Sequence, residues 1–245
     1  MRRVFVFNGD ADGLCALQQL CLSEGRSSAE LVTGPKRRTA LLGGVSAGKG
    51  DEVTVLDVAL NSNREDVLRL LAAGARVRYF DHHHAGGVPA HERLETHIDI
   101  SPSTCTSVIV NDYLGSKYRA WAAVGAFGDN LPDTGKRLKD SAELERLGVL
   151  LNYNSYGESE ADLFFPPVEL HRRLARYDDP LAFIQDESYR VLENGYARDM
   201  QLAHDLRPVA ARAHAAVYVL PDASWARRVS GALANRLARA APARA

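Results

Sequence analysis

Short apolar runs that stop on an aspartate set the frame for this chain. Residues 4–7 (Val4-Phe5-Val6-Phe7) lead into Asn8-Gly9-Asp10, residues 53–56 into Asp57, and residues 76–80 into Asp81. Between them lie stretches of helical periodicity. Leu14, Leu17, Leu20 and Cys21 recur at helical spacing, and residues 61–73 carry Val67, Leu68, Leu70 and Leu71 ahead of Gly74. Residues 31–33, stopped by Gly34-Pro35, form one more strand candidate. Strands alternating with helices in this way predict an α/β fold: a mostly parallel sheet flanked by helices.

From Thr104 the pattern turns helical. Ser103, Thr104 and Thr106 are N-cap candidates for a helix through Tyr113, and residues 118–127 are apolar nearly all round, as in a buried helix. Further helices are expected over 142–151, 167–175 and 192–213, with a loop at 152–157. Residues 217–220 read as a late strand, Pro221-Asp222 as a turn, 224–238 as a basic helix, and 238–245 as an Ala/Arg-rich tail expected to fray. The expected organisation is a catalytic domain over 1–190, a helical linker over 191–215, and over 216–245 the start of a truncated or incomplete α/β subdomain for substrate binding.

Charge and cysteine usage remove several classes. Thirty Lys and Arg against 31 Asp and Glu leave a net charge of -1, so there is no chain-wide footprint for nucleic acid. No apolar run approaches the ~18 residues that span a bilayer. Three cysteines, Cys15, Cys21 and Cys105, without a C-x-x-C pair, suit neither a disulfide scaffold nor a structural zinc site. A cytoplasmic protein without a membrane partner is expected.

In open parallel sheets ligands bind at the carboxyl ends of strands. That edge would collect Asp10, Asp12, Asp57 and Asp81, and Asp129 in Gly128-Asp129-Asn130 adds another carboxylate after the buried helix. Packed carboxylates cannot all stay ionised without cations. Two divalent ions would balance Asp10, Asp12, Asp57 and Asp129 charge for charge. Taken singly, each aspartate also suits a turn or a helix N-cap. The run Asp81-His82-His83-His84 sharpens the metal reading. Neighbouring side chains in an extended segment point opposite ways, so one histidine can ligate a metal while the next faces the substrate, with His84 in solvent.

VFVFNGDADGLCAL, VTVLDVALN, YFDHHHAGG and GAFGDN, in that order and spacing, resemble the four signature motifs of the DHH phosphoesterase superfamily. The resemblance runs over about residues 4–130 and is nearest to the RecJ-like and oligoribonuclease-like branch. It implies metal ligands at Asp10, Asp12, Asp57, His82 and Asp129, with Asp57 bridging two ions. It further implies that His83 contacts the scissile phosphate while Asp81 orients the histidines. Two positions depart from the pattern. Val6 stands where some branches carry a histidine ligand, and Asn8, a third candidate catalytic position beside His83 and Asp81, stands where RecJ-like members carry an aspartate. This leaves one ion poorer in protein ligands and argues against the pyrophosphatase branch.

The implied activity is two-metal hydrolysis of phosphodiester bonds in nucleotides or short oligonucleotides. Phosphomonoester or pyrophosphate hydrolysis is an alternative, as is a non-catalytic nucleotide-binding module. Mixed carboxylate and imidazole donors favour Mn2+ over calcium, with Mg2+ as second choice. The helix opening at Gly13 would aim its N-terminus at a phosphate. Residues 43–50 approach a Walker A loop, but Gly50 replaces the hydroxyl residue and a strand follows, so they read as a connection. Lys36-Arg37-Arg38 would touch phosphates or form a solvated turn. Tyr153, Tyr156 and Tyr177 would stack bases or pack internally.

Overall fold

Strand β1 (Arg3–Phe7) sends Val4 and Val6 to one side and Phe5 and Phe7 to the other, and all four are buried. A strand covered on both faces belongs inside a parallel sheet. In a computed structural model, which describes residues 2–25, 28–212 and 214–241, β1 lies between β2 (Glu30–Val32) and β3 (Glu52–Leu56). Strands β4 (Arg76–Asp81) and β5 (Leu94–Ile98) complete a five-stranded parallel sheet in the order β2-β1-β3-β4-β5.

The alternation on β1 divides the core. Val4 and Val6 join Val53, Val55, Leu60, Val67 and Tyr79 beneath α2 (Leu60–Ala72). Phe5 and Phe7 join Leu14, Leu17, Trp121, Val124 and Leu147 on the opposite face. That face is covered by α1 (Ala11–Glu24), α3 (Thr106–Tyr113), α4 (Arg119–Gly128) and α6 (Ala142–Ser155), with α5 (Pro132–Lys139) between the last two. Helices α7 (Pro167–Leu174), α8 (Pro180–Phe183) and α9 (Glu187–His204) follow. A two-residue antiparallel pair, β6 (Ala210–Ala211) and β7 (Ala216–Val217), precedes α10 (Ser224–Ala240).

Several sequence expectations shift. Strand β5 gives no clear sequence signal, because Leu-Glu-Thr-His-Ile carries few apolar residues and every position is only half-buried at the sheet edge. The expected loop at 152–157 is helical through Ser155, since Asn154 turns inward: its Oδ1 accepts from the Phe164 and Phe165 amides and its Nδ2 donates to Phe165 O. The helix expected over 192–213 begins at Glu187 on an Asp186 cap and ends at His204. The late strand shrinks to Ala216–Val217.

Helix α10 docks on α6 and α9 through Val229 and Leu233, which meet Tyr153, Met200 and Ala203. Arg228 is buried beside Asp199, and Arg227 pairs with Asp162 and Asp222, so neither belongs to an open basic face. The part of the expected fraying tail at 242–245 lies outside the described residues. Among the described residues no helix is long and apolar enough to cross a membrane.

Candidate metal centre

The strand order reverses direction between β1 and β3, and a parallel sheet opens a crevice at such a point. Asp10 follows β1 and Asp57 follows β3, so both stand at that crevice. Asp10 caps α1, its Oδ1 accepting from the Gly13 amide at 3.1 Å. That amide is therefore committed and does not await a phosphate. A Cβ on Gly13 would lie 2.1 Å from Asn8 O, so only glycine lets the chain fold back this closely after β1.

Asp12, in the first turn of α1, is fully buried. Its Oδ1 and Oδ2 accept from the Ser107 and Thr106 amides, each at 2.7 Å. These are unpaired N–H groups at the start of α3, where a carboxylate completes the helix end. Asp57 adopts φ +58°, a left-handed conformation that costs a residue with a Cβ about 1 kcal/mol or more. The kink turns its buried carboxylate towards the crevice, where Thr106 Oγ1 donates to Oδ1 at 3.4 Å.

Asp81 closes β4 and is fully buried. Its Oδ1 accepts from the His82 amide at 2.9 Å and from His83 Nδ1 at 2.7 Å. The carboxylate assigns the proton to His83 Nδ1 and leaves Nε2 for another partner. The chain leaves the strand at Asp81, so His82 and His83 do not diverge as in an extended segment; their ring centroids are 4.4 Å apart. His82 Nε2 lies 3.4 Å from Asp57 Oδ1, 3.6 Å from Asp129 Oδ2 and 4.0 Å from Asp12 Oδ2. His83 Nδ1 is 3.8 Å from Asp57 Oδ1. His84 is exposed and accepts from the Gly86 amide. Asn8 lines the crevice, and its buried Oδ1 has no hydrogen-bond partner among the described residues.

Lys36 is the member that sequence reasoning underweighted. Its Nζ reaches Asp10 Oδ2 at 2.5 Å, Asn152 Oδ1 at 3.3 Å and Asp129 Oδ1 at 3.6 Å. Arg37 and Arg38 are exposed, Arg38 at the rim of the crevice, so the solvated-turn reading fails for Lys36 and phosphate contact stays open for Arg38. The signal was the Gly34-Pro35 break after β2. It places Lys36 at the carboxyl edge of a strand next to β1, the same edge as Asp10. Thr106 and Ser107 were missed as supports, Thr106 being visible in sequence only as a cap candidate.

Electrostatics mark the cluster as short of positive charge. Burial, reinforced by Asp10, Asp12 and Asp129, holds Asp57 well above the ordinary carboxylate range. Burial and the charges of Asp12 and Asp10 push Asp129 up to about 6. Asp10 is lowered instead: burial opposes ionisation, and Lys36 outweighs it. Burial likewise works against the Lys36 ammonium, and Asp10, Asp129 and Asp57 raise it above its usual value regardless. The hydrogen bond to Asp81 raises His83.

Among the described residues two sets of donors each have their ligand atoms within 4.8 Å of one another: Asp57, His82 and His83, and Asp12, His82 and Asp129. They share His82, and Asp10 belongs to neither. Under-neutralised carboxylate oxygens mixed with imidazole nitrogens suit Mn2+ or Mg2+, so the residues fit a divalent ion. The crevice encloses about 190 Å³. Beside it lies a cavity of about 280 Å³ lined by Asn130, Asn152, Tyr156, Arg236 and Arg239. Lys36 joins the two, bonding Asn152 and lying 5.9 Å from the Tyr156 ring centre. Of the other tyrosines, Tyr153 donates to Asp199 and Tyr177 to Asp186, so both serve packing.

No protein-family model matches the chain, and no curated protein matches it in sequence. Solved structures do. An exonuclease RecJ bound to manganese superposes with TM-score 0.58 at 18% identity, over 98% of this chain and 74% of that one. RecJ from Thermus thermophilus, in complex with Mn2+, gives 0.57 at 18% identity over 98% of this chain and 42% of its own. The DHH domain of a member of the s1p family of ribosomal proteins gives 0.53 at 10% identity over 88% and 61%. The fold of this chain is that of the DHH domain in RecJ-like structures.

Proposed function

With the DHH-type fold as premise, we propose that this protein is a metal-dependent phosphoesterase that hydrolyses phosphodiester bonds of nucleotides or short oligonucleotides. One observation carries the reading: Asp57, Asp129 and Asp12 all lie within 4.0 Å of His82 Nε2, at the crevice of a parallel sheet. Asp12, Asp57, His82 and Asp129 would hold a divalent ion, Mn2+ first and Mg2+ second. The resemblance implies a pair of ions; the donor geometry supports one of them. When bound, such an ion polarises a phosphoryl oxygen and supplies a nucleophile near neutral pH.

The remaining chemistry belongs to the chain. His83 lines the crevice with its Nδ1 held by Asp81, which leaves Nε2 of a protonated ring to donate to a phosphoryl or leaving oxygen. The Asn8 amide has an uncommitted oxygen at the crevice wall and orients a water or substrate hydroxyl. The adjoining cavity supports a nucleotide substrate, because Tyr156 presents a ring and Arg236 and Arg239 present guanidinium groups. In this reading residues 1–190 carry the catalysis, 191–215 connect, and the segment from 216 onward begins a substrate-binding subdomain whose helix α10 supplies part of the cavity wall.

The test is a set of hydrolysis assays in Mn2+ on a chromogenic phosphodiester, pyrophosphate and a five-nucleotide RNA. Cleavage of the diester and the RNA, lost on chelation, is expected. Turnover of pyrophosphate alone would overturn the substrate assignment, and inactivity on all three would overturn the catalytic one.

A further inference from the structure

The carboxylate cluster already contains one fixed cation. We propose that the Lys36 ammonium takes the place of a second divalent ion: the centre binds a single ion, and Lys36 meets the substrate's phosphoryl oxygen from the other side. The inference rests on the metal-dependent reading above and refines it.

Both Asp10 carboxylate oxygens are engaged, one of them by a cation. Oδ1 caps α1 through Gly13, and Oδ2 is 2.5 Å from Lys36 Nζ. A second ion held through Asp10 Oδ2 would crowd the ammonium, which stands 2.5 Å from that oxygen and 3.6 Å from Asp129 Oδ1. A divalent cation and an ammonium repel each other strongly at that range in a buried site. The two donor sets agree, since both omit Asp10 and both depend on His82. One imidazole nitrogen serves one ion.

Lys36 is placed there by backbone rather than by a flexible stem alone. Its own amide donates to Ser155 O at 3.0 Å, at the end of α6. Upstream, Gly34 passes so close to Gly9 that a Cβ there would lie 2.3 Å from Gly34 O. The segment is thus locked between the turn after β1 and the end of α6. An ammonium has three donors. Asp10 and Asn152 accept two, and the third, with Asp129 Oδ1 beyond hydrogen-bond length at 3.6 Å, is open to a phosphoryl oxygen in the crevice.

The test is Mn2+ titration of the full chain by calorimetry, with bound metal counted after equilibrium dialysis. One ion per chain is expected. Two ions of comparable affinity would overturn the proposal and leave the metal-dependent reading standing, whereas no binding would overturn both. In a second arm, Lys36→Met keeps the aliphatic stem and removes the charge. With one equivalent of Mn2+ bound, affinity for inorganic phosphate should fall about tenfold, the scale of one charge-assisted hydrogen bond. Affinity for the ion itself should hold or rise. A merely structural lysine would lower stability without moving phosphate affinity, so a change under about threefold would overturn the proposal. If the variant does not fold, the wild-type stoichiometry decides alone.

Discussion

The backbone amide of Ser107 donates to Asp12 Oδ1 at 2.7 Å, across 95 positions of sequence. Through it the start of α3 holds a carboxylate that lies in the first turn of α1, and the metal centre inherits the rigidity of both helices. Gly125 on α4 backs this contact. A Cβ there would meet Ser107 Oγ at 2.0 Å and Asp12 Oδ1 at 3.1 Å.

Gly125→Ala should therefore cost about 1–3 kcal/mol of stability through overpacking, and should weaken Mn2+ binding by moving Asp12. Denaturant unfolding and metal titration read the two effects. A variant with wild-type values for both would show that α3 and α4 part without strain.

Asp57→Ala is expected to abolish hydrolysis and Mn2+ binding together, since Asp57 Oδ1 is the carboxylate oxygen nearest His82 Nε2. Asp57→Asn should do the same while stabilising the metal-free protein, because it removes a buried charge repelled by Asp10, Asp12 and Asp129. Full metal occupancy in the Ala variant, by elemental analysis, would refute the ligand assignment.

The histidines should separate. His82→Ala should lower Mn2+ affinity, whereas His83→Ala should lower turnover with metal binding nearly intact, because Asp81 takes its Nδ1. His84→Ala, at an exposed position, should do little. Equal losses of affinity for His82 and His83 variants would mean that both are ligands.

Proton linkage gives a signed pH prediction. Asp57 and Asp129 are raised in the folded protein, Asp129 to about 6, above their unfolded values near ~4. Their contribution to the stability of the metal-free protein is present below about pH 4; the Asp129 share is lost as pH rises through about 6, and the Asp57 share is lost in the same direction. Protons and Mn2+ compete for the same oxygens. The rise in melting temperature on adding Mn2+ should accordingly be small at about pH 5 and large at about pH 7.5. Equal shifts at both would contradict it.

Docking of α10 depends on a buried pair. Arg228 Nη2 lies 2.7 Å from Asp199, which is fully buried, and Arg228 Nε also reaches the Tyr153 hydroxyl at 3.2 Å. Arg228→Ala leaves the buried Asp199 with only the Tyr153 hydroxyl and the exposed Arg198 at 3.3 Å, and should cost up to about 3–5 kcal/mol. Mn2+ affinity of the folded fraction should be unchanged.

What the sequence determined by itself is the frame of the site. Short apolar runs end in Asp10, Asp57 and Asp81, and a parallel sheet puts strand ends on one edge, so these carboxylates and the histidines after β4 were legible from local pattern. Asp129 was legible as the end of a helix apolar on every side. Strand β5 was not, because an edge strand carries too weak a hydrophobic signal. Nor was the inward turn of Asn154, because polar residues read as surface until their partners are known. Only the tertiary structure decided that β2 lies beside β1, and hence that Lys36 neutralises Asp10, and that α3 begins where Asp12 needs donors. Periodicity reports which face of an element is buried. Which distant element covers that face, and which charge arrives with it, is settled by strand order and helix docking, and no local pattern carries that information.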